Sequence, residues 1–224
     1  MHFPLFLQLA ASSAPPLFGH TADTSGWRAG IGLQVDVLPT QTVESEMRQL
    51  PMLRGDLRYM HTTGIYGSAR ARAIVLSNLG ELGAGYAFRT GPFAIAVHDH
   101  IGYFYGAIGF SGFDAIGTSV LHTPGATVSW RFGRDVLSLS TEVVVPLAQT
   151  SVVGSGTARV VQSKTTGERA VVATFTVEHT LRQGGTVIGG AALLSAPPDY
   201  QAWLAFSDER ARAVYPRFFA GYAF

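Results

Sequence analysis

The chain has 224 residues, of which 47% are hydrophobic and only 14% are charged, and its formal net charge is +1. A nearly neutral chain lacks the basic excess typical of nucleic-acid binding, so we exclude nucleic acid as a partner. The absence of cysteine excludes disulfide bonds and thiolate metal sites. No run approaches the ~18 to 20 consecutive apolar residues of a membrane-spanning helix.

The N-terminal residues 1–25 contain the short apolar stretch Phe3-Pro4-Leu5-Phe6-Leu7, followed by small residues from Ala10 to Ala14. This pattern is compatible with a secretory signal peptide, although the basic start of such a peptide is missing. Residues 1–25 are therefore either a signal peptide or an N-terminal extension, and we assign residues 26–224 to a single domain.

From Gly26 onward, apolar and polar residues alternate with the period of two that indicates β-strands. The clearest example runs from Trp27 to Val37, where the apolar positions alternate with Arg28, Gly30, Gly32, Gln34 and Asp36. Counting such segments between turn signals predicts twelve strands. They are residues 26–37, 52–61, 65–77, 81–89, 93–105, 125–132, 136–145, 157–163, 170–181, 186–194, 200–207 and 214–224.

The connections between these strands fall into two sets that alternate along the chain. One set is short throughout and consists of residues 62–64, 89–92, 133–135, 165–168 and 196–199. The other set contains the long connections, which are residues 38–51, 106–124, 146–156 and 208–215. Membrane β-barrels combine an even strand number with short turns on one side and long loops on the other.

The last strand places Phe218, Ala220, Tyr222 and Phe224 on one face. In this respect the chain resembles porin-like bacterial outer-membrane β-barrel proteins, whose closing strand ends in a Tyr-x-Phe-like signal that the barrel-assembly machinery reads. The resemblance implies a location in the Gram-negative outer membrane and contact with outer-membrane lipids and lipopolysaccharide. It also implies an assembly role for Tyr222 and Phe224, and it leaves room for other envelope subunits as partners.

The predicted fold class is therefore all-β, a closed antiparallel transmembrane β-barrel of about 12 strands, within a range of 8 to 12. Closure of the barrel removes the unpaired strand edges that a bilayer would penalise. The competing interpretation is a soluble β-sandwich or jelly roll, whose inner faces show a similar alternation.

If the apolar face contacts lipid, the charged residues of the strands face the lumen. They are nine arginines and five acids, so the lumen holds either a salt-bridge network that fills it or a cationic lining that selects anions, centred on Arg58, Arg70 and Arg72. The candidates are Arg28, Asp36, Arg54, Asp56, Arg58, Arg70, Arg72, Glu81, Arg89, Arg131, Glu142, Arg159, Glu178 and Arg217.

The segment His98-Asp99-His100 is the one cluster with metal-binding or acid–base chemistry. His98 and His100 face the same side of their strand, so both reach one metal ion if a neighbouring strand supplies a carboxylate. Asp99 then faces lipid. We prefer the interpretation of two lumen histidines that are hydrogen-bonded to neighbours, and we expect no resident cofactor.

The outer-membrane phospholipases are a family of twelve-stranded barrels with which this chain can be compared. They carry a His and a Ser two residues apart on one strand. At the matching place this chain has His98 and His100, without the serine. We therefore expect a narrow pore or a structural barrel without enzymatic activity. The alternatives are a lipid- or lipopolysaccharide-modifying enzyme and a barrel subunit of a larger envelope complex.

Overall fold

A computed structural model of the chain describes residues 25–37, 49–74, 77–110, 113–155, 158–164, 169–196 and 213–224. No helix in these residues is long and apolar enough to cross a bilayer.

All the regular structure in these ranges is β-strand, and every strand pairing is antiparallel. The bounds are β1 Gly26–Val37, β2 Gln49–Met60, β3 Ile65–Ile74, β4 Ser77–Thr90, β5 Phe93–Phe110, β6 Phe113–Phe132, β7 Asp135–Ser155, β8 Ala158–Lys164, β9 Ala170–Thr180, β10 Thr186–Ala196 and β11 Ala213–Ala223.

Ten of these strands form a closed ring. Strand β1 pairs with both β2 and β11, and the β6–β7 pairing closes the remaining gap, so every strand of the ring has two neighbours. The closed antiparallel barrel is confirmed. The count of about twelve was slightly too high, because the ring has ten strands and β8 lies outside it, but ten lies within the predicted range of 8 to 12.

Strand β8 explains part of the difference in strand number. It pairs with the far part of β7, from Gln149 to Ser155. Strand β9 runs in the same direction and pairs with the near part of β7, from Asp135 to Val144. The predicted strand 157–163 therefore does not cross the barrel as a separate strand, and Arg159 falls outside the ring.

Two predicted long loops are wrong, because residues 106–124 belong mostly to β5 and β6 and residues 146–155 belong to β7. The Gly-rich composition suggested irregular structure. Yet β5 and β6 pair without interruption as far as Phe110 and Phe113, with Gly106 directly opposite Gly117. Pairing with neighbouring strands therefore outweighs the low β-propensity of glycine. The predicted strand 200–207 and most of loop 38–51 lie outside the described residues.

The two ends of the barrel differ. Connections of two residues (75–76 and 111–112) and long ones (38–48 and 197–212) both occur at one end. The other end, which we call the turn end, carries the short connections β2–β3, β4–β5, β6–β7 and β9–β10. Each of these turns contains glycine with positive φ, for example Gly64 at 91° and Gly133 at 60°, where other residues would be strained. The start of β1 lies at the same end, since Ala29 and Phe224 exchange backbone hydrogen bonds. We call the opposite end the loop end.

Three strands are much longer than the others, and they extend the wall at the loop end. Strands β5, β6 and β7 have 18, 20 and 21 residues, whereas ~9 to 11 residues suffice for a tilted strand to cross a bilayer. Val160 and Val161 of β8 are both exposed although neighbouring side chains of a strand point to opposite faces. The sheet β5–β8 thus projects beyond the ring.

The outer surface of the ring is apolar and its inner surface is largely polar. Leucine, isoleucine, valine and aromatic side chains are exposed around the whole wall, including Ile31, Leu53, Leu82, Ile101, Leu139, Phe175, Leu193 and Phe218. The alternate positions of these strands are buried, and they carry charged side chains on β1, β2, β4, β9 and β11 and neutral polar ones on several others. This arrangement is the inverse of a soluble β-sandwich and excludes that interpretation, because a soluble protein buries its apolar face.

Candidate functional site

The centre of the lumen holds a network of largely buried ion pairs that joins β3, β4 and β7, with a further pair on β2. Arg70 of β3 lies between two carboxylates, with Nη1 2.5 Å from Glu142 Oε1 and Nη2 3.1 Å from Glu81 Oε1. Arg72 donates to the other oxygen of Glu81 at 2.8 Å. On β2, Arg54 and Asp56 pair at 2.7 Å. The charges are of both signs and compensate each other, as buried charges must.

A second ion pair lies where the first and last strands of the ring meet. Arg217 of β11 donates two hydrogen bonds to Asp36 of β1, both at 2.6 Å. Asp36 is fully buried, and Gln34 donates a third hydrogen bond to it at 2.9 Å. This bidentate pair fixes the register of the closing seam from inside the lumen.

A third group of charges lies nearer the turn end. Arg28 of β1 and Arg58 of β2 are directly opposite each other and buried. The carboxylate of Glu178 acts electrostatically on both guanidinium groups. Arg28 also donates to Thr186, and Arg58 lies 3.9 Å from the ring centre of Tyr66, a cation–π geometry.

Toward the loop end, the side of the lumen formed by β5 to β7 and β9 to β11 changes from polar to apolar. Nine buried side chains form one cluster, which we call the apolar layer. They lie on six strands of the ring, β5, β6, β7, β9, β10 and β11. Its members are Phe104, Leu121, Val144, Ala170, Val172, Ala192, Leu194, Ala196 and Tyr215, with Leu79 packed against them.

Three small cavities lie inside the described part of the barrel. Two cavities of about 70 Å³ lie among the charged residues, one beside Arg72 and Arg217 and the other beside His98 and His100. A smaller cavity of about 30 Å³ lies against Phe104 and Leu121 of the apolar layer. Cavities of this size hold a few water molecules, not a continuous aqueous channel.

The two histidines of the sequence cluster both face the lumen, and each makes a hydrogen bond across an intervening strand. His98 Nε2 lies 3.0 Å from Glu142 Oε1, and Gly125 of β6 stands between them in the pairing register. A Cβ atom at Gly125 would lie 2.5 Å from His98 Nε2 and 2.9 Å from Glu142 Cγ. Glycine at position 125 therefore allows the contact.

His100 repeats this arrangement on its other side. Its Nε2 atom lies 2.8 Å from Ser68 Oγ of β3. Gly83 of β4 stands between the two residues, and a Cβ at that position would collide with the imidazole ring. The Nδ1 atom of His100 is buried and has no hydrogen-bond partner among the described residues.

The other predicted residues have different locations. Asp99 lies on the outer face, where it accepts a hydrogen bond from His122 Nε2 at 2.8 Å. Arg89 is exposed at the turn end and donates to the Gly91 carbonyl at 3.1 Å. Arg131 is half-buried close to the same end. Tyr222 and Phe224 are exposed on the outer face of the closing strand.

The alternation along β3 puts Ser68 on the same face as Arg70 and Arg72, but it does not identify Ser68 as the partner of His100. The pairing register of β3, β4 and β5 was needed for that assignment. This Ser–His contact lies in the lumen, whereas lipids contact the outer face. Phospholipase-type chemistry on membrane lipids therefore has no support from it.

Three solved structures are similar to this chain over most of the length of both chains. A KdgM porin has 8% identity and a TM-score of 0.39 over 88% of this chain and 98% of that one. Ail, the attachment invasion locus protein of Yersinia pestis, has 11% identity and a TM-score of 0.42 over 90% and 99%. Neisserial surface protein A has 11% identity and a TM-score of 0.36 over 88% and 93%. No protein-family model and no curated protein matches the chain.

The class of protein follows from the structure itself. A closed ring of strands with an apolar exterior and a charged interior is an integral membrane β-barrel of the outer-membrane type. The interior combines paired charges with an apolar layer. The nature of this interior distinguishes a pore from a structural barrel.

Proposed function

We propose that the protein is a closed structural barrel of the outer membrane that does not conduct ions in its resting state. The apolar layer is the observation that carries this proposal. Leu194 and the other buried side chains of this layer pack together inside the lumen, on strands from β5 to β11. A hydrophobic constriction of this kind excludes water and with it ions.

The charged network supports the same function from the other side of this layer. Its guanidinium groups are held by carboxylates or by an aromatic ring, so they are already engaged within the wall. The barrel then acts as a rigid membrane anchor for the projecting sheet β5–β8. We propose that this sheet meets lipopolysaccharide or another envelope subunit on the outer side.

Planar-bilayer recording tests the closed state. The purified protein, folded as shown by heat-modifiable migration on a gel, should give no discrete current steps at any voltage below membrane breakdown. A general porin in the same bilayers provides the positive control. Regular single-channel steps from the wild-type protein would contradict the proposal.

A second candidate, a narrow anion-selective pore, is favoured by the lining of one lumen cavity. Arg54, Arg70, Arg72 and Arg217 line that cavity together with only two acids, Asp56 and Glu142. If current steps are seen, their reversal potential in a salt gradient should indicate anion preference. Arg72→Glu should then weaken or invert that preference.

A further inference from the structure

Inside the lumen, three side chains with metal-binding atoms converge from two strands. One nitrogen of His98, one nitrogen of His100 and one carboxylate oxygen of Glu142 all lie within 4.8 Å of one another. We propose that these three residues form a binding site for a divalent transition-metal ion of the zinc or nickel type. This site is independent of whether the barrel conducts ions.

The set of donor atoms determines the class of metal. Two imidazoles and one carboxylate suit Zn²⁺, Ni²⁺ or Cu²⁺, whereas Mg²⁺ and Ca²⁺ prefer ligand sets made only of oxygen atoms. Three protein ligands leave a further coordination position for water. The adjacent cavity of about 70 Å³ gives the ion and its water room. Its lining includes Ser68, His98, His100, Asp56 and Glu142, together with the guanidinium groups of Arg58 and Arg70.

The surroundings of His100 resemble those of a metal ligand. Ser68 Oγ occupies one ring nitrogen, Nε2, at 2.8 Å. The other nitrogen, Nδ1, is buried without a partner among the described residues, which is costly for a polar atom. Metal-binding histidines use one nitrogen for the ion while the other is held and oriented by a hydrogen bond.

Two glycines shape the site. Gly83 and Gly125 flank the histidines on the neighbouring strands, and a Cβ atom at either position would strike an imidazole ring. Because both glycines face the lumen, they allow His98 and His100 to lie flat across the wall and reach Glu142 and Ser68. A site that needed only two hydrogen-bonded histidines would not require the carboxylate and both imidazoles to converge.

Arg70 is the group that opposes metal binding, since its guanidinium donates to Glu142 at 2.5 Å. It has a second carboxylate within reach, because Glu81 accepts from it at 3.1 Å. Arg70 can therefore keep one ionic partner when Glu142 coordinates a metal ion. The positive charge nearby should reduce the affinity, so replacing Arg70 by glutamine should tighten binding.

The test is isothermal titration calorimetry in detergent micelles. Metal-free, tag-free protein is titrated with Zn²⁺ and, separately, with Mg²⁺. We expect one Zn²⁺ per chain and no Mg²⁺ binding. His98→Ala and His100→Ala should each reduce the Zn²⁺ affinity at least about tenfold, and Ser68→Ala should reduce it by about tenfold or less. Co²⁺ bound to the wild-type protein should show the visible absorption of a site with nitrogen ligands.

Two matched controls separate this site from adventitious binding. His122→Ala removes an imidazole of the outer face and should leave Zn²⁺ binding unchanged. Gly125→Ala fills the space between His98 and Glu142 and should abolish binding although every ligand remains. Gly189→Ala, at a position where a Cβ meets nothing within 4 Å, should bind normally.

Heat-modifiable migration establishes that each variant is folded before it is titrated. Any variant that fails to fold is set aside, and the Co²⁺ spectrum and Zn²⁺ stoichiometry of the wild-type protein still decide the matter. Absence of stoichiometric Zn²⁺ binding to the wild-type protein would overturn the proposal. Binding that survives His98→Ala and His100→Ala, or that is lost in His122→Ala, would overturn it equally.

Discussion

The central charged network and the apolar layer occupy neighbouring levels of the same lumen, yet they are stabilised by different forces. On β6 and β7, the inward-facing side chains change from polar to apolar between one inward position and the next, two residues apart. Thr123 lies in the network and Leu121 in the apolar layer, and the same relation holds for Glu142 and Val144 on β7. One wall thus carries two kinds of interior.

The difference shows two ways in which side chains fill the lumen of a small membrane barrel: charge pairing and close packing. At the network level, each charge must keep a partner, because an unpaired buried charge is strongly unfavourable. At the level of the apolar layer, close packing of side chains is the main requirement, although the buried Tyr215 carries a hydroxyl that must also be hydrogen-bonded. We therefore expect the network to be sensitive to the removal of one partner and the apolar layer to be sensitive to the removal of volume.

The largest expected effect is that of Glu81→Ala. Glu81 accepts from Arg70, Arg72 and Thr123 and is almost completely buried. Its removal leaves two guanidinium groups with too few carboxylates, so the free energy of unfolding should fall by about 3 to 5 kcal/mol. Urea titration of the protein in lipid bilayers, with linear extrapolation, measures this change.

Asp135→Ala is the matched control for Glu81→Ala. Asp135 also pairs with a basic side chain, His179, at 2.6 Å, but near the turn end His179 is half exposed and Asp135 about a third exposed. Its loss should change the free energy of unfolding by less than about 1 kcal/mol. Similar values for the two variants would show that burial does not distinguish the network from a surface ion pair.

The second effect concerns the apolar layer. Leu194 is fully buried, and Leu194→Ala should lower the free energy of unfolding by about 3 kcal/mol because it leaves a cavity. The neighbouring Leu193 faces outward and is 58% exposed, so Leu193→Ala should have a smaller effect because lipid chains can fill the space.

The same pair of variants should also differ in planar bilayers. Leu194→Ala widens the hydrophobic constriction and should produce occasional current steps, whereas Leu193→Ala should remain silent. Current steps from both variants, or from neither while stability falls as expected, would show that the apolar layer does not seal the lumen.

Much of this architecture was predictable from the alternation of residue types. The pattern placed Arg70, Arg72 and Glu81 on inward faces because a membrane barrel reverses the usual distribution of apolar and polar residues. The closed barrel and the short turns at residues 62–64 and 133–135 follow from the same pattern and from turn glycines.

What the sequence left open depends on register between strands. Alternation assigns a residue to a face but does not show which side chains meet across the sheet. Two contacts each cross an intervening strand at a glycine. His98 reaches Glu142 across β6 at Gly125, and His100 reaches Ser68 across β4 at Gly83. The length of β5 to β7 was also underestimated, because glycine and proline there were interpreted as loop signals.

The smallest expected effect separates charge from hydrogen bonding within the network. Thr127 Oγ1 and Ser140 Oγ are hydrogen-bonded at 2.6 Å beside the same cavity as Glu142, and neither group is charged. Thr127→Val preserves the shape and removes one neutral hydrogen bond, so the free energy of unfolding should fall by about 1 kcal/mol.

Ser140 retains a second contact in that variant, because its hydroxyl also donates to the Ala126 carbonyl at 3.3 Å. The measurement is the same urea titration that is used for Glu81→Ala. A loss as large as that of Glu81→Ala would mean that general polar packing, not charge pairing, stabilises the network. A loss of about a quarter as much would instead assign the sensitivity of the central lumen to its ion pairs, since both side chains are buried and only that of Glu81 is charged.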